Sequence, residues 1–179
     1  FDQWGVLHNG HHKFKEAENC LSLLKEHKKK VILISNSSMP IKNSVSNLTR
    51  LGFNENLYDY CITSGQITLN NLDKDIYSKF GNVCYPLKLS DEKIKIFKLK
   101  FTTNLKKANF VLIADLEKNL SILDFAELLD QMLDLGKPLI CANPDYMVHD
   151  NEKLHMCAGT IAQLYEDMGG RVFRYGKPF

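Results

Sequence analysis

The chain has 179 residues, which is enough for one domain with a proper core or for a small core domain that carries an insert. With 44% hydrophobic and 25% charged residues, its composition is that of an ordinary soluble globular protein. The formal net charge of +2 excludes a general electrostatic pull toward nucleic acid or membrane, so we expect neither as a partner.

Five cysteines are spread along the chain without a Cys-x-x-Cys pair. Their odd number and wide spacing argue against a disulfide framework or a cysteine zinc site, and they favour a reducing compartment. No apolar run approaches the roughly 18 residues that a membrane-spanning helix needs, and we expect no signal peptide. These features together predict a cytoplasmic protein.

The first half of the chain alternates helices with short apolar strands. Apolar residues at helical spacing predict a helix over 14–28, and the run Val31–Ile34 directly after it predicts a buried parallel strand. Pro40 and Gly52 mark the ends of a second helix. The same patterns predict three further elements, namely strands at 60–63 and 82–87 and a helix at 66–72.

The second half continues the alternation after a less regular, lysine-rich stretch at 73–109. The predicted strands are 110–113, 138–141 and 171–175, and the predicted helices are 121–135 and 158–168. Because strands and helices alternate, the fold class is α/β with a mainly parallel sheet.

Polar residues follow several of the predicted strands, at the sheet edge where parallel α/β folds form their sites. These are Asp2, Ser35 with Asn36, Asn143–Asp145, and Lys177. A carboxylate such as Asp2 can attack phosphorus to form an aspartyl-phosphate, and it can bind Mg²⁺, which prefers oxygen ligands. Taken alone, an Asp before a turn is more often a structural cap.

Ser35 and Lys177 suit the same chemistry. The Ser35 hydroxyl and the N–H groups of the loop after it are suited to holding a phosphate, and Lys177 is suited to neutralising the charge of a phosphoryl group. In isolation, a helix-capping serine and a solvated lysine are the simpler interpretations. A P-loop is excluded, because five residues separate Gly170 from Gly176 and a proline follows the lysine.

The order and spacing of these segments resemble the haloacid dehalogenase superfamily, in its class IIA branch of nitrophenylphosphatase-like and phosphoglycolate-phosphatase-like enzymes. The resemblance covers nearly the whole chain. The segments that carry it are Asp2–Leu7, Val31–Asn36, Ile62–Gly65, Asn143–Asp145 before Ala158-Gly159, and Tyr175–Pro178.

The resemblance implies a Rossmann-like core with an inserted α/β cap domain. Mapped onto this chain, the core is 1–77 and 146–179, truncated at both ends, and the cap is 78–145. A further acidic, metal-binding motif is expected beyond Phe179. Homodimers that form through the cap occur in this class, so one is a possible assembly here.

The resemblance also implies a Mg²⁺-dependent phosphatase that acts on a small phosphorylated substrate. In that reading Asp2 is the nucleophile and a metal ligand, and the backbone carbonyl of Trp4 is a second metal ligand. Ser35 holds the transferring phosphoryl group and Lys177 stabilises charge around Asp2. The remaining expected residues contact substrate, namely Asn36, Asn143 and Asp145.

Trp4 departs from the family pattern, which usually has a second Asp at this position as general acid and base. Indole can fill neither role, and losing such a group typically costs about 10²–10⁴-fold in rate. The alternative hypothesis is therefore a catalytically weakened relative that binds a phosphorylated ligand or a protein partner. A less favoured one is transfer of the phosphoryl group to an acceptor other than water.

Three histidines near Trp4 carry weaker hypotheses. His8 is a conceivable substitute acid–base, because the pKa of an imidazole suits the task. The spacing of His8, His11 and His12 suggests a metal cluster, but a polar loop is the preferred interpretation, because no carboxylate or cysteine lies close by in sequence.

Overall fold

The computed structural model describes residues 1–150 and 153–179. The helices are α1 (Lys15–Glu26), α2 (Ile41–Arg50), α3 (Ser64–Asn71), α4 (Tyr77–Phe80), α5 (Asp91–Ile96), α6 (Ala126–Asp134) and α7 (Ala158–Asp167). The strands are β1 (Ile32–Ser35), β2 (Tyr60–Thr63), β3 (Val83–Pro86), β4 (Lys100–Phe101), β5 (Phe110–Ile113), β6 (Leu139–Cys141), β7 (Met147–Asp150), β8 (Lys153–Met156) and β9 (Val172–Arg174). Within these residues, every helix is too short or too polar to cross a lipid bilayer.

The predicted α/β class is confirmed, and each predicted strand and helix has a counterpart. Three features were not predicted: α5, the short strand β4, and the antiparallel β7–β8 hairpin. A π-helical turn, Leu72–Ile76, joins α3 to α4, so the helix predicted to end at 72 runs on to Phe80.

The first unit of the fold consists of β1, β2, α1, α2 and the segment that precedes α1. The strands β1 and β2 pair in parallel, and the Ile34 N–H donates to the Phe1 carbonyl at 2.8 Å. Phe1 therefore lies alongside β1, and this pairing places Asp2 near the carboxyl end of the strand.

The sheet of the first unit is buried on one face. Leu33 packs against Leu21 of α1 and Leu48 of α2, and all three are fully buried. The other face points Ile32 and Ile34 outward with 40% and 38% of their surface exposed. The prediction of a fully buried strand is therefore wrong for this face, because the described residues provide no second layer to cover it.

The second unit is a five-stranded parallel sheet in the order β4-β3-β5-β6-β9 together with its helices. The helices α6 and α7 cover one face, where Leu129 and Ile161 are fully buried. On the other face, Ile76 and Phe97 pack against the same strands. Because both faces are covered, every residue of β5 is buried.

The predicted return to the core at residue 146 differs from the observed strand pairing. Strand β9 pairs with β6 of the second unit, so that Cys141 lies opposite Arg174. Helix α7 packs Ile161 and Tyr165 into the same core as β5 and β6. Since its apolar face needs that sheet for burial, α7 belongs to the second unit, and after β9 the chain returns to the first unit, where Lys177 contacts Asn36 and Asp2. The division into a core and a cap domain stays a prediction.

Candidate active site

A tight helical turn follows Asp2 and fixes its position. The N–H groups of Val6, Leu7 and His8 converge on the Gln3 carbonyl at 3.3, 2.8 and 3.2 Å. The buried Gln3 side chain ties this turn to α2, because its Oε1 accepts a hydrogen bond of 3.0 Å from the Ser44 hydroxyl. Asp2 therefore sits on a rigid support, as a reacting group requires.

Lys177 reaches Asp2 from the far end of the chain. Its Nζ lies 2.7 Å from Asp2 Oδ1, and both side chains are partly exposed. The approach depends on Gly176, which has a φ of +130°. A Cβ there would lie 2.7 Å from Asn36 Oδ1, so any other residue would push the strand end away from the site.

Asn36 joins three segments at the site. Its Nδ2 donates to Asp145 Oδ1 at 2.7 Å and to the Lys177 carbonyl at 3.0 Å, while its Oδ1 accepts from the Lys177 N–H at 2.7 Å. Since Asn36 is only 7% exposed, these bonds are shielded from water. The joint holds the end of β1, the loop after β6 and the loop after β9 together.

The loop that carries Ser35 is braced from behind. The Ser35 hydroxyl, which is largely buried, accepts a hydrogen bond of 3.2 Å from the Ser37 N–H. Gly65 donates its N–H to the Ser37 carbonyl, and a Cβ on Gly65 would lie only 2.0 Å from the Ser38 carbonyl oxygen. Close packing of α3 against this loop explains the Ser-Gly signature after β2.

A cleft of about 620 Å³ opens where these segments meet, between the two units. The residues predicted for the site that line it are Asp2, Trp4, Ser35, Asn36, Asn143 and Asp145. Lys177 reaches this cleft through its ion pair with Asp2. The structure thus brings all the predicted site residues to one place, and their catalytic roles stay predictions.

Asn143 and Asp145 shape the cleft wall on the side of the second unit. The Asn143 side-chain oxygen accepts a hydrogen bond of 3.1 Å from the Asp145 N–H, which closes the turn after β6. Asp145 in turn orients the Asn36 amide. The contacts of Asn143 and Asp145 in the structure are thus with the protein itself, and both still face the cleft.

Trp4 connects the turn after Asp2 to the β7–β8 hairpin. Its indole Nε1 donates to the His149 carbonyl at 2.8 Å. The ring lies against Gly10, where a Cβ would come within 2.3 Å of the indole. The position where the resemblance led us to expect a second Asp thus holds a tether between the two sides of the cleft.

Trp4→Phe is expected to loosen the hairpin without removing the aromatic ring. Losing one hydrogen bond costs about 1 kcal/mol, so amide hydrogen exchange in β7 should accelerate about fivefold. Hydrogen-exchange mass spectrometry of the full-length protein measures this, with α6 as the internal control. Unchanged exchange in β7 would contradict the tether.

The residues that line the cleft include neither His8, His11 nor His12. His8 is 3% exposed, is not among the residues that line the cleft, and accepts a hydrogen bond of 3.0 Å from the Gly10 N–H at Nδ1. Burial, together with Arg50, lowers the pKa of His8, which keeps it neutral. His11 Nε2 lies 3.0 Å from Asp150 Oδ1, on the hairpin. Within residues 1–150 and 153–179, no three His, Cys, Asp or Glu side chains form a metal cluster.

The carboxylate of Asp2 and the backbone carbonyl near it are nevertheless oxygen ligands that suit a hard cation. The three N–H groups of the helical turn all bond to the Gln3 carbonyl, so none of them takes up the Trp4 carbonyl. A carboxylate and a backbone carbonyl are oxygen ligands that Mg²⁺ accepts, with water and substrate phosphate in the other positions. The residues that would hold the ion are therefore Asp2 and the Trp4 backbone.

Asp115 and Lys93 were missed from the sequence. Asp115 follows β5 and lines the cleft, and Lys93 of α5 pairs with it at 2.6 Å. The only available signal was the position of Asp115 at the end of a buried strand, the same signal that singled out Ser35.

Comparisons with known proteins identify the fold. A hydrolase of the haloacid dehalogenase-like family from Brucella suis superposes with a TM-score of 0.88 at 31% identity, over 99% of this chain and 67% of that one. A possible sugar phosphatase from Cytophaga hutchinsonii superposes with a TM-score of 0.79 at 21% identity, over 100% of this chain and 66% of that one. A p-nitrophenyl phosphatase from Archaeoglobus fulgidus superposes with a TM-score of 0.65 at 18% identity, over 96% of this chain and 65% of that one. The chain thus spans about two thirds of the length of these proteins.

The α/β fold with its mainly parallel sheet is that of haloacid dehalogenase-like hydrolases. The family profile of haloacid dehalogenase-like hydrolases matches residues 1–96, and the chain belongs to this family. The family membership predicted from the sequence motifs is therefore confirmed. No curated protein sequence matches the chain.

Proposed function

We propose that the protein is a Mg²⁺-dependent phosphatase that hydrolyses a small phosphate ester through an aspartyl-phosphate on Asp2. The observation that carries the proposal is the Asp2–Lys177 pair, 2.7 Å apart at the mouth of a cleft that Ser35 and Asn36 also line. Support comes from structural neighbours described as sugar, p-nitrophenyl and glycerol phosphate phosphatases.

The contacts of the two carboxylate oxygens of Asp2 support different tasks for them. Oδ1 is held by Lys177 and by the Gln3 N–H at 2.7 Å, so in the proposed reaction Oδ2 is the attacking atom. Oδ2 forms a bond to phosphorus as the bond from phosphorus to the ester oxygen breaks, and the leaving oxygen takes a proton from solvent to become the alcohol. Water then attacks the phosphorus of the aspartyl-phosphate and gives up a proton to solvent. The bond from Oδ2 to phosphorus breaks in this step, which releases inorganic phosphate and restores the Asp2 carboxylate.

The neighbouring groups bind and neutralise the phosphoryl group. The Ser35 hydroxyl is a donor for phosphoryl oxygens, as are the N–H groups of Asn36 and Ser38, whereas the Ser37 N–H is bonded to Ser35. Lys177 offsets the negative charge that Asp2 and the phosphoryl group bring together. Asp2 and the Trp4 carbonyl would hold Mg²⁺, which would supply further positive charge to offset the negative charge of the phosphoryl group.

The second candidate function is a catalytically weakened relative that binds a phosphorylated ligand or a protein partner. Trp4 is the observation that favours it, since the Nε1–H of its indole is committed to the His149 carbonyl and is no general acid. In this hypothesis the cleft and its phosphate donors persist, while protonation of a poor leaving group is lost.

Hydrolysis of p-nitrophenyl phosphate by the full-length protein separates the two functions. This leaving group needs little protonation, so the absence of an acid at Trp4 should matter least there. We expect phosphate release that EDTA stops and Mg²⁺ restores. A folded protein that binds Mg²⁺ and releases no phosphate would contradict the phosphatase and favour the ligand-binding relative.

The magnesium assay has a control within the same preparation. Adding Ca²⁺ in place of Mg²⁺ after EDTA treatment tests whether any divalent ion suffices. Ca²⁺ prefers more ligands and longer bonds than Mg²⁺, so we expect it to support much less turnover.

A cytoplasmic location and a homodimer through the 78–145 segment stay predictions.

A further inference from the structure

Asp115 is a carboxylate held in a fixed orientation at the wall of the cleft. The Ser38 hydroxyl lies 2.7 and 2.8 Å from its two oxygens, and Lys93 Nζ lies 2.6 Å from Oδ2. Ser38 is 2% exposed and the Lys93 side chain 13%, whereas the Asp115 side chain is 47% exposed. The buried Ser38 hydroxyl and the largely buried Lys93 ammonium therefore fix the orientation of a carboxylate that is itself half exposed.

The bonds to Ser38 and Lys93 leave acceptor capacity on Asp115. An ionised carboxylate offers about four lone-pair positions and no donor. Since Ser38 and Lys93 take only part of these, the open side of the carboxylate can accept hydrogen bonds from a ligand. Its natural partners are hydroxyl or ammonium groups, and it repels another carboxylate.

The position of Asp115 suits contact with the part of a substrate beyond the phosphoryl group. Asp115 lines the cleft that contains Asp2 and Ser35, and it also borders two adjoining cavities of about 310 and 390 Å³. It belongs to the second unit, across the cleft from Asp2. A phosphate at Asp2 would therefore direct its ester group toward this wall.

The charges that line the cleft also bear on which ester group it accepts. Its lining includes the carboxylates of Asp2, Asp115 and Asp145 but, among the described residues, neither lysine nor arginine. Lys177, just outside the lining, is paired with Asp2, and Lys93 is paired with Asp115. Within the lining of this cleft, a leaving group with its own carboxylate would find no lysine or arginine; Lys88 lines the adjoining cavity of about 390 Å³ and not the cleft itself.

We propose that Asp115 selects the leaving group, favouring phosphate esters of neutral hydroxylated alcohols or amino alcohols over esters that carry a carboxylate. The inference rests on the proposed function, because it places the phosphate at Asp2. Lys93 and Ser38 act as positioning residues that hold the Asp115 carboxylate toward the cleft.

Binding measurements test this selectivity without relying on turnover. Glycerol 3-phosphate and phosphoglycolate are the probes, and calorimetry on the full-length protein with Mg²⁺ gives the dissociation constant of each. An Asp2→Asn background prevents hydrolysis during the titration. If the protein proves inactive toward p-nitrophenyl phosphate, the ratio of the two dissociation constants still reports on Asp115.

We expect glycerol 3-phosphate to bind at least about tenfold more tightly than phosphoglycolate. Asp115→Asn should reduce that ratio by about tenfold, because the amide keeps the bond to Ser38 but no longer repels a carboxylate. Lys93→Met should raise the ratio, because it leaves the Asp115 charge unbalanced. The matched control Asp130→Asn, an exposed carboxylate on α6, should change nothing.

The opposite signs of the two variants distinguish selection from a structural ion pair. If Lys93 and Asp115 only anchor Ser38, and with it the first unit, both variants should weaken both ligands to the same degree. That result would overturn the proposal, as would equal affinity of the unmodified Asp115 protein for the two probes. Thermal unfolding shows whether each variant is folded. If Asp115→Asn does not fold, the effect of Lys93→Met on the ratio of the two dissociation constants still tests the proposal.

Discussion

Asp2→Asn is expected to abolish hydrolysis of p-nitrophenyl phosphate, with a loss in kcat on the order of 10⁴-fold or more. An amide carries no negative charge and is a poor nucleophile toward phosphorus, so no covalent intermediate can form. The substitution preserves the local structure, because the Asn oxygen can still accept the bond that Gln3 N–H now donates to Asp2 at 2.7 Å. Steady-state kinetics of the full-length protein measures the loss.

Stability is a separate readout for the same variant. The Asp2–Lys177 pair is partly exposed, with 43% and 36% of the side chains accessible, and such pairs contribute about 0–1 kcal/mol. Asp2→Asn should therefore unfold at nearly the same temperature as the unmodified protein. Asp130→Asn, on the far surface of α6, is the control and should retain full activity. Activity of Asp2→Asn within tenfold of normal would mean that another residue attacks.

The sequence was sufficient to predict which polar residues meet, because parallel strands present their carboxyl ends at one edge of a sheet. Asp2 and Ser35 follow neighbouring strand segments, and their proximity comes from local pattern plus that rule. Lys177 was placed by its motif, and the structure adds how it gets there, through Gly176 and the Asn36 joint.

Contacts between distant segments could not be predicted in this way. Ser38 and Asp115 are 77 residues apart, and Trp4 and His149 are 145 apart. No periodicity or turn signal encodes such a pair, because each partner looks like an ordinary surface residue in its own segment. The hydrogen bonds from Ser38 that orient Asp115, and the bond from Trp4 to His149, could not be predicted for this reason.

The pairing of β9 with β6 could not be predicted for a related reason. A short apolar run such as Val172–Arg174 has the same pattern whichever sheet it joins. The motif at Gly176-Lys177 belongs to the site, and the core range 146–179 that the resemblance implies includes the strand before it. Hydrogen bonding to β6 is a non-local choice, decided by α7, whose buried face needs the second sheet.

Lys177→Met is expected to lower kcat by about 10²–10³-fold while KM changes little. The methionine occupies a similar volume but lacks the charge that lies 2.7 Å from Asp2, so attack on an anionic phosphate loses its electrostatic support. The hydrogen bonds between Asn36 and residue 177 survive, because they involve only the backbone N–H and carbonyl of Lys177 and not its side chain. The variant therefore removes charge without moving the strand end.

Two further variants complete this measurement. Lys177→Arg keeps the charge but changes its shape and reach, so it should recover part of kcat and no more. Lys30→Met breaks an exposed pair with Asp59, 3.3 Å apart and far from the cleft in the first unit, and should leave kcat unchanged. If Lys177→Met raises KM and spares kcat, Lys177 serves ground-state binding of the phosphate and not the chemical step. If kcat instead falls and Lys177→Arg restores part of it, the cation acts where charge develops around Asp2, which is the role that the 2.7 Å contact predicts.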